Sequence, residues 1–232
     1  MCTIVYKLGG SLLDLPDLAQ RLNALLNEPL PFFTRPVAKK PNRLVVVGGG
    51  PIADAVRQLD RTHGLGDELA HRLAMQSMSL NAQLVAAVVR DAELVTSREE
   101  ACDMWSEGRV AVLRAAEFVE AEERESNDFL PRSWNVTSDS VAAYVARHWP
   151  ADGLVLLKSV SIPAERDPAA ASSQGLVDPQ FPLLAGRIPF IGWANLRSEK
   201  PTIERWLETT IGTAVKTKYR ARELAPDRHC PP

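Results

Sequence analysis

The stretch Ile4-Val5-Tyr6-Lys7-Leu8-Gly9-Gly10-Ser11-Leu12-Leu13 decides how this chain is read, and Leu44-Val45-Val46-Val47-Gly48-Gly49-Gly50-Pro51 repeats its design. In each, an apolar run rich in β-branched residues ends in consecutive glycines, and a helix-like pattern follows. Such a join lets backbone N–H groups converge on an anion at a helix N-terminus, where the helix dipole also favours negative charge. Glycine suits the turn because it reaches unusual dihedrals and has no Cβ to hold a ligand off the backbone. Lys7 adds a cation two residues before the first glycine pair. Taken singly, a Gly-Gly after a strand is also no more than a tight turn. Two of them on one sheet edge, one with a lysine, make two phosphate-sized anion sites and suggest phosphoryl transfer between them. Neither turn fits G-x-x-x-x-G-K-[ST] or G-x-G-x-x-G, which excludes the usual nucleotide fingerprints.

Working outward, strand-like runs recur at Thr3–Leu8, Arg43–Val47, Arg109–Leu113, Gly153–Leu157 and Ile188–Ile191, with a weaker one at Thr213–Lys216. Helical spacing of apolar residues marks 17–26 (Leu18, Leu22, Leu25, Leu26) and 52–61 (Ile52, Ala55, Val56, Leu59). Residues 67–89 place Leu69, Leu73, Met75, Met78, Leu80 and Leu84 among small residues and read as one or two buried helices. Residues 138–148 make another helix, with Thr137 or Ser138 as N-cap and Asp139 in the first turn. Strands alternating with helices predict an α/β sandwich with a mainly parallel sheet. Segments 28–42, 161–180 and the tail after Arg222 read as loops from their prolines and small residues. No composition shift marks a boundary, so one domain spanning 1–232 is expected.

The 232 residues suffice for a substantial core. A formal charge of −2 and a pI near 6.1 argue against a dedicated nucleic-acid binder. Cys2, Cys102 and Cys230 form no C-x-x-C pair, which predicts reduced thiols and no zinc site. No run of about 18 apolar residues and no signal-peptide pattern is present. A cytoplasmic protein with no membrane partner is therefore expected.

In open α/β sheets, ligands bind outside the carboxyl ends of the strands, where Lys7 and both glycine turns would lie. Lys7 is either a solvated strand-end lysine or a phosphate ligand. Ser11 can donate to a phosphate or cap the following helix. Asp139, in Trp134-Asn135-Val136-Thr137-Ser138-Asp139-Ser140, either compensates a helix dipole or orients Lys7, with indirect anchoring of Mg²⁺ as a third role. Lys158 closes the apolar run 153–157, either solvated or as a second cation over nucleotide phosphates. Thr137, Ser138, Ser140, Ser159 and Ser161 add polar donors on the same edge. His71 and Arg72 read as structural. Trp193 and Trp206, with Arg197 and Arg205, frame an adenine or, more simply, pack the core. No Ser/His/Asp or Cys/His arrangement can be assembled, so acyl-transfer hydrolysis finds no support.

At these residues the chain resembles the amino acid kinase superfamily. Its members open with K-x-G-G-S, matched by Lys7, Gly9, Gly10 and Ser11. They end a second strand in G-G-G, matched by Gly48, Gly49 and Gly50, and place an aspartate before a mid-chain helix, matched by Asp139. The resemblance implies a three-layer α/β/α sandwich around about eight mostly parallel strands. It also implies ATP and Mg²⁺, with the acceptor on the N-terminal half, the nucleotide on the C-terminal half, and assembly into a homo-oligomer. Within the superfamily the chain is most similar to the small kinases of methanofuran biosynthesis, which act on an aminomethylfuran-methyl phosphate. The matching stretches are 48–57, 71–78, 134–140 and 177–182. That likeness implies Lys7 and Asp139 as catalytic residues, Gly9, Gly10, Ser11, Lys158 and Ser159 on the nucleotide, and Gly48, Gly49, Gly50, Arg57 and Thr137 on a small phosphorylated acceptor. It assigns no direct metal ligand. Two departures stand out: relatives read V-D-G-I where this chain has Val160-Ser161-Ile162-Pro163, and 192–195 lacks the glycine of a related Asn-Gly turn. These departures leave room for an idle nucleotide- or oxyanion-binding protein akin to molybdenum-storage proteins. A uridylate or acylamino-acid kinase differs in acceptor alone.

Overall fold

Short runs of Val, Ile and Leu bounded by glycines and buried on both faces are the signature of a parallel sheet covered by helices. The computed structural model, which describes residues 2–30 and 40–208, has that form. In chain order its elements are β1 (Thr3–Leu8), a 3₁₀ turn (Gly10–Leu12), α1 (Leu18–Leu26), β2 (Asn42–Val47), α2 (Gly50–His63), α3 (Asp67–Val88), β3 (Ala92–Val95), α4 (Arg98–Ser106), β4 (Val110–Leu113), α5 (Ala115–Ser126), α6 (Ser138–His148), β5 (Gly153–Lys158), α7 (Pro168–Ser173), α8 (Phe181–Ala185), β6 (Phe190–Asn195) and β7 (Glu204–Glu208). The sheet order is β3-β4-β2-β1-β5-β6-β7, and only the β6–β7 pair is antiparallel. The chain winds outward from β1 on one side, then returns to place β5 against its other edge. That reversal makes a topological switch point beside β1, where such sheets bind ligands.

Two cores sandwich the sheet. Ile4, Tyr6, Leu8, Val45, Val47, Val155 and Leu157 face α1 and the second half of α3. Val5, Leu44, Val46, Leu154 and Leu156 face α5, α6 and α8. Side chains alternate along a strand, so Lys7 falls on the face of Val5 and Lys158 on that of Leu154 and Leu156. Both lysines thus point to the layer that holds α6.

Expectation and structure part at several elements. Of residues 188–191 the first two lie in the turn before the strand, which begins at Phe190 and runs to Asn195. β3, β7, α4 and α5 are additional elements, and α7 lies inside the supposed loop 161–180. Residues 67–88 form one helix whose Leu80 and Leu84 are exposed, and α2 buries no residue despite its apolar spacing. Trp193 and Trp206 are fully buried and stacked edge to face at 5.2 Å, which makes them core and not an adenine frame. Cys2 is a free thiol, whereas Cys102 is disulfide-bonded in place of the reduced thiol expected. Residues 213–216, the tail after Arg222, Cys230 and residues 31–39 of the proline-rich loop lie outside the described residues. Among the described residues, no helix is long and apolar enough to cross a membrane.

The two glycine turns touch. A Cβ on Gly10 would sit 2.2 Å from the Gly50 nitrogen, one on Gly48 2.6 Å from the Gly10 nitrogen, and one on Gly50, at φ +51, 2.7 Å from the Gly10 oxygen. Gly10→Ala should therefore push two backbones apart, costing about 1–3 kcal/mol by overpacking. At about 2–4 °C per kcal/mol for a chain this size, calorimetry should show the melting midpoint lowered by roughly 2–12 °C. Gly186→Ala, with open space around it, is the control and should shift it little.

Candidate active site

Three buried charges organise the C-terminal edge of the sheet. Lys7 ends β1, Lys158 ends β5, and Asp139 opens α6 between them on the same face. Lys7 Nζ lies 2.8 Å from Asp139 Oδ1, and Lys158 Nζ lies 2.7 Å from Oδ2. Each lysine thus holds one oxygen of the same carboxylate, and both contacts stabilise its charged form. Lys158 also donates to the Leu176 carbonyl at 2.7 Å and lies 5.5 Å from the centre of the Trp193 ring.

One carboxylate thus serves two ammonium groups. Burial alone would push Asp139 up, but Lys7 and Lys158 more than reverse this and hold it at about 2. Lys158 moves down to about 8, first through burial and then through the nearby Lys7, with Asp139 opposing both. Within direct contact two positive charges meet one carboxylate, and the buried Asp178 carboxylate acts on Lys158 only from farther off. In a low-dielectric setting that imbalance is a standing attraction for a phosphate group.

Beside the triad is a cavity of about 150 Å³. Gly10, Ser11, Gly49 and Gly50 form one wall, Thr137 and Ser138 another, and Met75, Met78, Val136 and Val141 its apolar surface. Trp134 and Arg57 also line it, the guanidinium 4.5 Å above the indole ring centre. Asp60 accepts from Trp134 Nε1 at 2.8 Å and Asp54 accepts from Arg57 at 2.9 Å, so both side chains are held.

The expected site residues divide between these two places. Gly10, Ser11, Gly49, Gly50, Arg57 and Thr137 line the cavity; Lys7, Asp139 and Lys158 form the triad behind it. Ser159 joins neither. The N–H groups of Gly9 and Gly48 do not face a ligand: they donate to Leu157 and Leu8 carbonyls at 3.0 and 2.8 Å, extending the ladder. The available donors are those of Gly10 and Ser11 at the 3₁₀ turn and of Gly50 and Ile52 in the first turn of α2. Ser11 sits on the same cavity as the second turn, so the two turns form one wall and not two separated cradles. Thr137 is at the N-cap of α6 but makes no side-chain cap to that helix.

What caps α6 comes from far along the chain. Asp178, nine-tenths buried, accepts from Thr137 N and Oγ1 at 2.9 and 2.8 Å, from Ser140 N at 3.0 Å and from the Ser140 hydroxyl. It also accepts from Phe181 N at 3.0 Å. Asp178 thereby fixes the turn that carries Asp139. Asn81 does the same for the second glycine turn, its amide donating to the Gly48 and Gly49 carbonyls at 2.8 Å each. Sequence reading missed both roles. An Asp-Pro after a small-residue stretch and a lone Asn mid-helix were the signals, and neither names its partner.

Residues 3–169 match the family model described as Amino acid kinase family. The chain is 28% identical over 148 residues to [5-(aminomethyl)furan-3-yl]methyl phosphate kinase of Methanocaldococcus jannaschii, covering 62% of this chain and 59% of that protein. It is 33% identical over 178 residues to the uridylate kinase of Methanospirillum hungatei JF-1, covering 73% of this chain and 66% of the other. Against both curated relatives it thus spans less than two thirds of their length. Among solved structures, UMP kinase from Ureaplasma parvum superposes with a TM-score of 0.58 at 15% identity, covering 86% of this chain and 92% of the other. UMP kinase from Bacillus anthracis gives 0.57 at 14% identity, covering 85% and 88%. These structures share the α/β fold.

Removing the anchor of α6 should be costly, because four donors on Thr137 and Ser140, buried or half-buried, lose their acceptor. For Asp178→Ala we expect a loss of about 1–3 kcal/mol, the cost of leaving such donors unsatisfied. Urea unfolding of the variant beside the parent checks this, and a loss below about 1 kcal/mol would sink the role given to Asp178.

Proposed function

The chain belongs to the amino acid kinase family, and from that membership we propose an ATP-dependent kinase acting on a small acceptor that already carries a phosphate. The observation that carries this reading is the buried Lys7–Asp139–Lys158 triad, two ammonium groups in contact with one carboxylate, behind a wall of interlocked glycine turns. In phosphoryl transfer the protein positions groups and neutralises charge, and little covalent chemistry is asked of it. The bound nucleotide supplies the γ-phosphoryl group. The acceptor oxygen forms the new P–O bond as the β,γ-bridging bond breaks and ADP departs.

In this reading Lys7, held by Asp139, presents its remaining ammonium protons to the transferring group. Lys158 holds the nucleotide phosphates, and Asp139 keeps the two cations apart and aimed. Gly10 and Ser11 bind phosphate from the β1 side with Gly9 shaping their turn, and Ser159 borders the nucleotide. Gly49, Gly50, Arg57 and Thr137 meet the acceptor, with Gly48 closing the turn. Among the described residues no cluster of three His, Cys, Asp or Glu could hold a metal. Mg²⁺ fits this chemistry through phosphate oxygens and water, its common mode in kinases. The reading also takes 1–232 as a single cytoplasmic domain working as a homo-oligomer, which the exposed row Leu80, Leu84 and Val88 along α3 supports.

For the acceptor we favour an aminomethylfuran-methyl phosphate. The relative named for that substrate supports it. A uridylate kinase is the second reading, favoured by the higher identity and longer match to the Methanospirillum protein.

The test is ADP formation from ATP with Mg²⁺ against the furan phosphate, UMP and acetylglutamate. Transfer to one of them is expected; no turnover with any acceptor would leave an idle binding protein. Lys7→Ala should lower kcat by at least about 10³-fold with the circular dichroism spectrum unchanged, the scale of losing a main electrostatic contact. An intact rate in that variant refutes the role of Lys7. A pH profile reads Lys158 separately. Its pKa lies near 8 in the free protein, so it is charged below that pH and neutral above. Accordingly kcat/KM should fall above about pH 8, and Lys158→Arg should move that limb upward by keeping the charge.

A further inference from the structure

One group on the cavity wall has no part in the chemistry described so far. His71, on α3 beside Met75, lines the acceptor cavity, is only 6% exposed, and its Nε2 has no hydrogen-bond partner. A buried polar atom left unpaired in a native fold is costly, of the order of 1–3 kcal/mol, and calls for a reason. The Ser133 backbone beside the ring acts to raise its pKa, the effect of a ring N–H directed at a carbonyl. Burial and then Arg132 push the pKa down more strongly, against Glu123 and Glu68, so the ring is neutral at pH 7. A neutral imidazole has one N–H and one lone pair. With the proton spent on Ser133, Nε2 is the lone-pair side.

We propose that His71 is a specificity subsite for the acceptor, accepting a hydrogen bond at Nε2 from an N–H or O–H group that the acceptor carries besides its phosphate. This rests on the kinase reading above and deepens it. Met75, Met78 and Val141 give the cavity apolar surface, and Asp54, its one lining carboxylate, already accepts from Arg57, so the cavity suits a compact body with an apolar part and a donor for Nε2. Such a site selects by rejection: a molecule of the same shape without the donor leaves Nε2 unpaired and also loses the bond. Arg57, paired with Asp54 and stacked on Trp134, offers only donors and so cannot take this role.

The experiment uses the whole chain, ¹⁵N-labelled, with His71 assigned by loss of its signals in His71→Phe. Three probes are compared: [5-(aminomethyl)furan-3-yl]methyl phosphate, its analogue with methyl in place of aminomethyl, and UMP, which has ring N–H and hydroxyl donors. In the free protein at pH 7.5, Nε2 of His71 should be unprotonated. The Gly49 and Gly50 amides should respond to every phosphate that binds, and His71 Nε2 only to one that brings a donor. In turnover, the aminomethyl compound should exceed its methyl analogue in kcat/KM by roughly 10–100-fold, the scale of a hydrogen bond to a charged group. That ratio should collapse toward one in His71→Phe, while His71→Asn, which keeps an acceptor atom, should retain part of it. A protonated Nε2, or glycine amides that respond to a donor-bearing probe while Nε2 does not, overturns the subsite and leaves the kinase reading standing. If no probe moves either group, the acceptor site itself is wrong and the subsite falls with it.

Discussion

Everything at the sheet's working edge follows from burying Lys7, Asp139 and Lys158 together. Withdrawing charges from water costs several kcal/mol for each ion, and pairing repays that only with good geometry. Here Lys158 is doubly bonded, to Asp139 and to the Leu176 carbonyl, whereas Lys7 makes its 2.8 Å ion pair with Asp139. A stability argument would favour a second carboxylate in contact with Lys7, as Asp178 acts on Lys158 only from a distance, or none of these charges. The imbalance makes sense when the missing partner arrives with the substrate, and its cost is then recovered on binding.

Holding that unstable arrangement requires scaffolding from four directions. Strand parity puts both lysines on one face; parallel pairing of β1 with β5 puts them side by side, with Lys7 opposite Leu156. The loop 176–181 then serves both partners. Its Leu176 carbonyl takes Lys158, and two residues later Asp178 takes the start of α6. Moving that loop would disturb the carboxylate and the lysine together. The glycine turns close the fourth side, and their first constraint is steric: backbone packs on backbone where no Cβ fits. Their ability to meet an anion is a consequence of that contact, because it brings the free first-turn donors of the 3₁₀ turn and of α2 to one wall.

The legible parts of this design were those written in local sequence. β1, β5 and α6 were readable because unbroken aliphatic runs and a capped helix carry their own signal. β3 was missed because only four residues long with Glu93 in it, and β7 because an edge strand alternating Glu204, Arg205 and Trp206 looks like a surface loop. α4 and α5 are rich in glutamate and are held by a few apolar anchors such as Ala101, Phe118 and Val119. Lys7, Asp139 and the glycines announced themselves by type and order. Asp178, Asn81 and His71 did not, since their partners lie 41, 32 and 62 positions away and only the sheet order brings them together.

The departures from the family pattern bear on whether the site can work. Where relatives carry an acidic residue and a glycine, this chain has Val160-Ser161-Ile162-Pro163, a substitution that in isolation points toward a degraded nucleotide side. The structure supplies other supports for the same turn. Trp193 Nε1 donates to the Val160 carbonyl at 2.9 Å, and Asn195 donates to the Ser161 hydroxyl at 3.4 Å. Both come from β6, which pairs with β5 so that Asn195 lies opposite Lys158. The turn is therefore pinned by side chains of the neighbouring strand instead of by its own glycine. A chain drifting toward idleness would have no reason to keep Lys158 bonded, Trp193 buried beside it and the turn between them tied. That joint retention is the physical argument for activity over a relic.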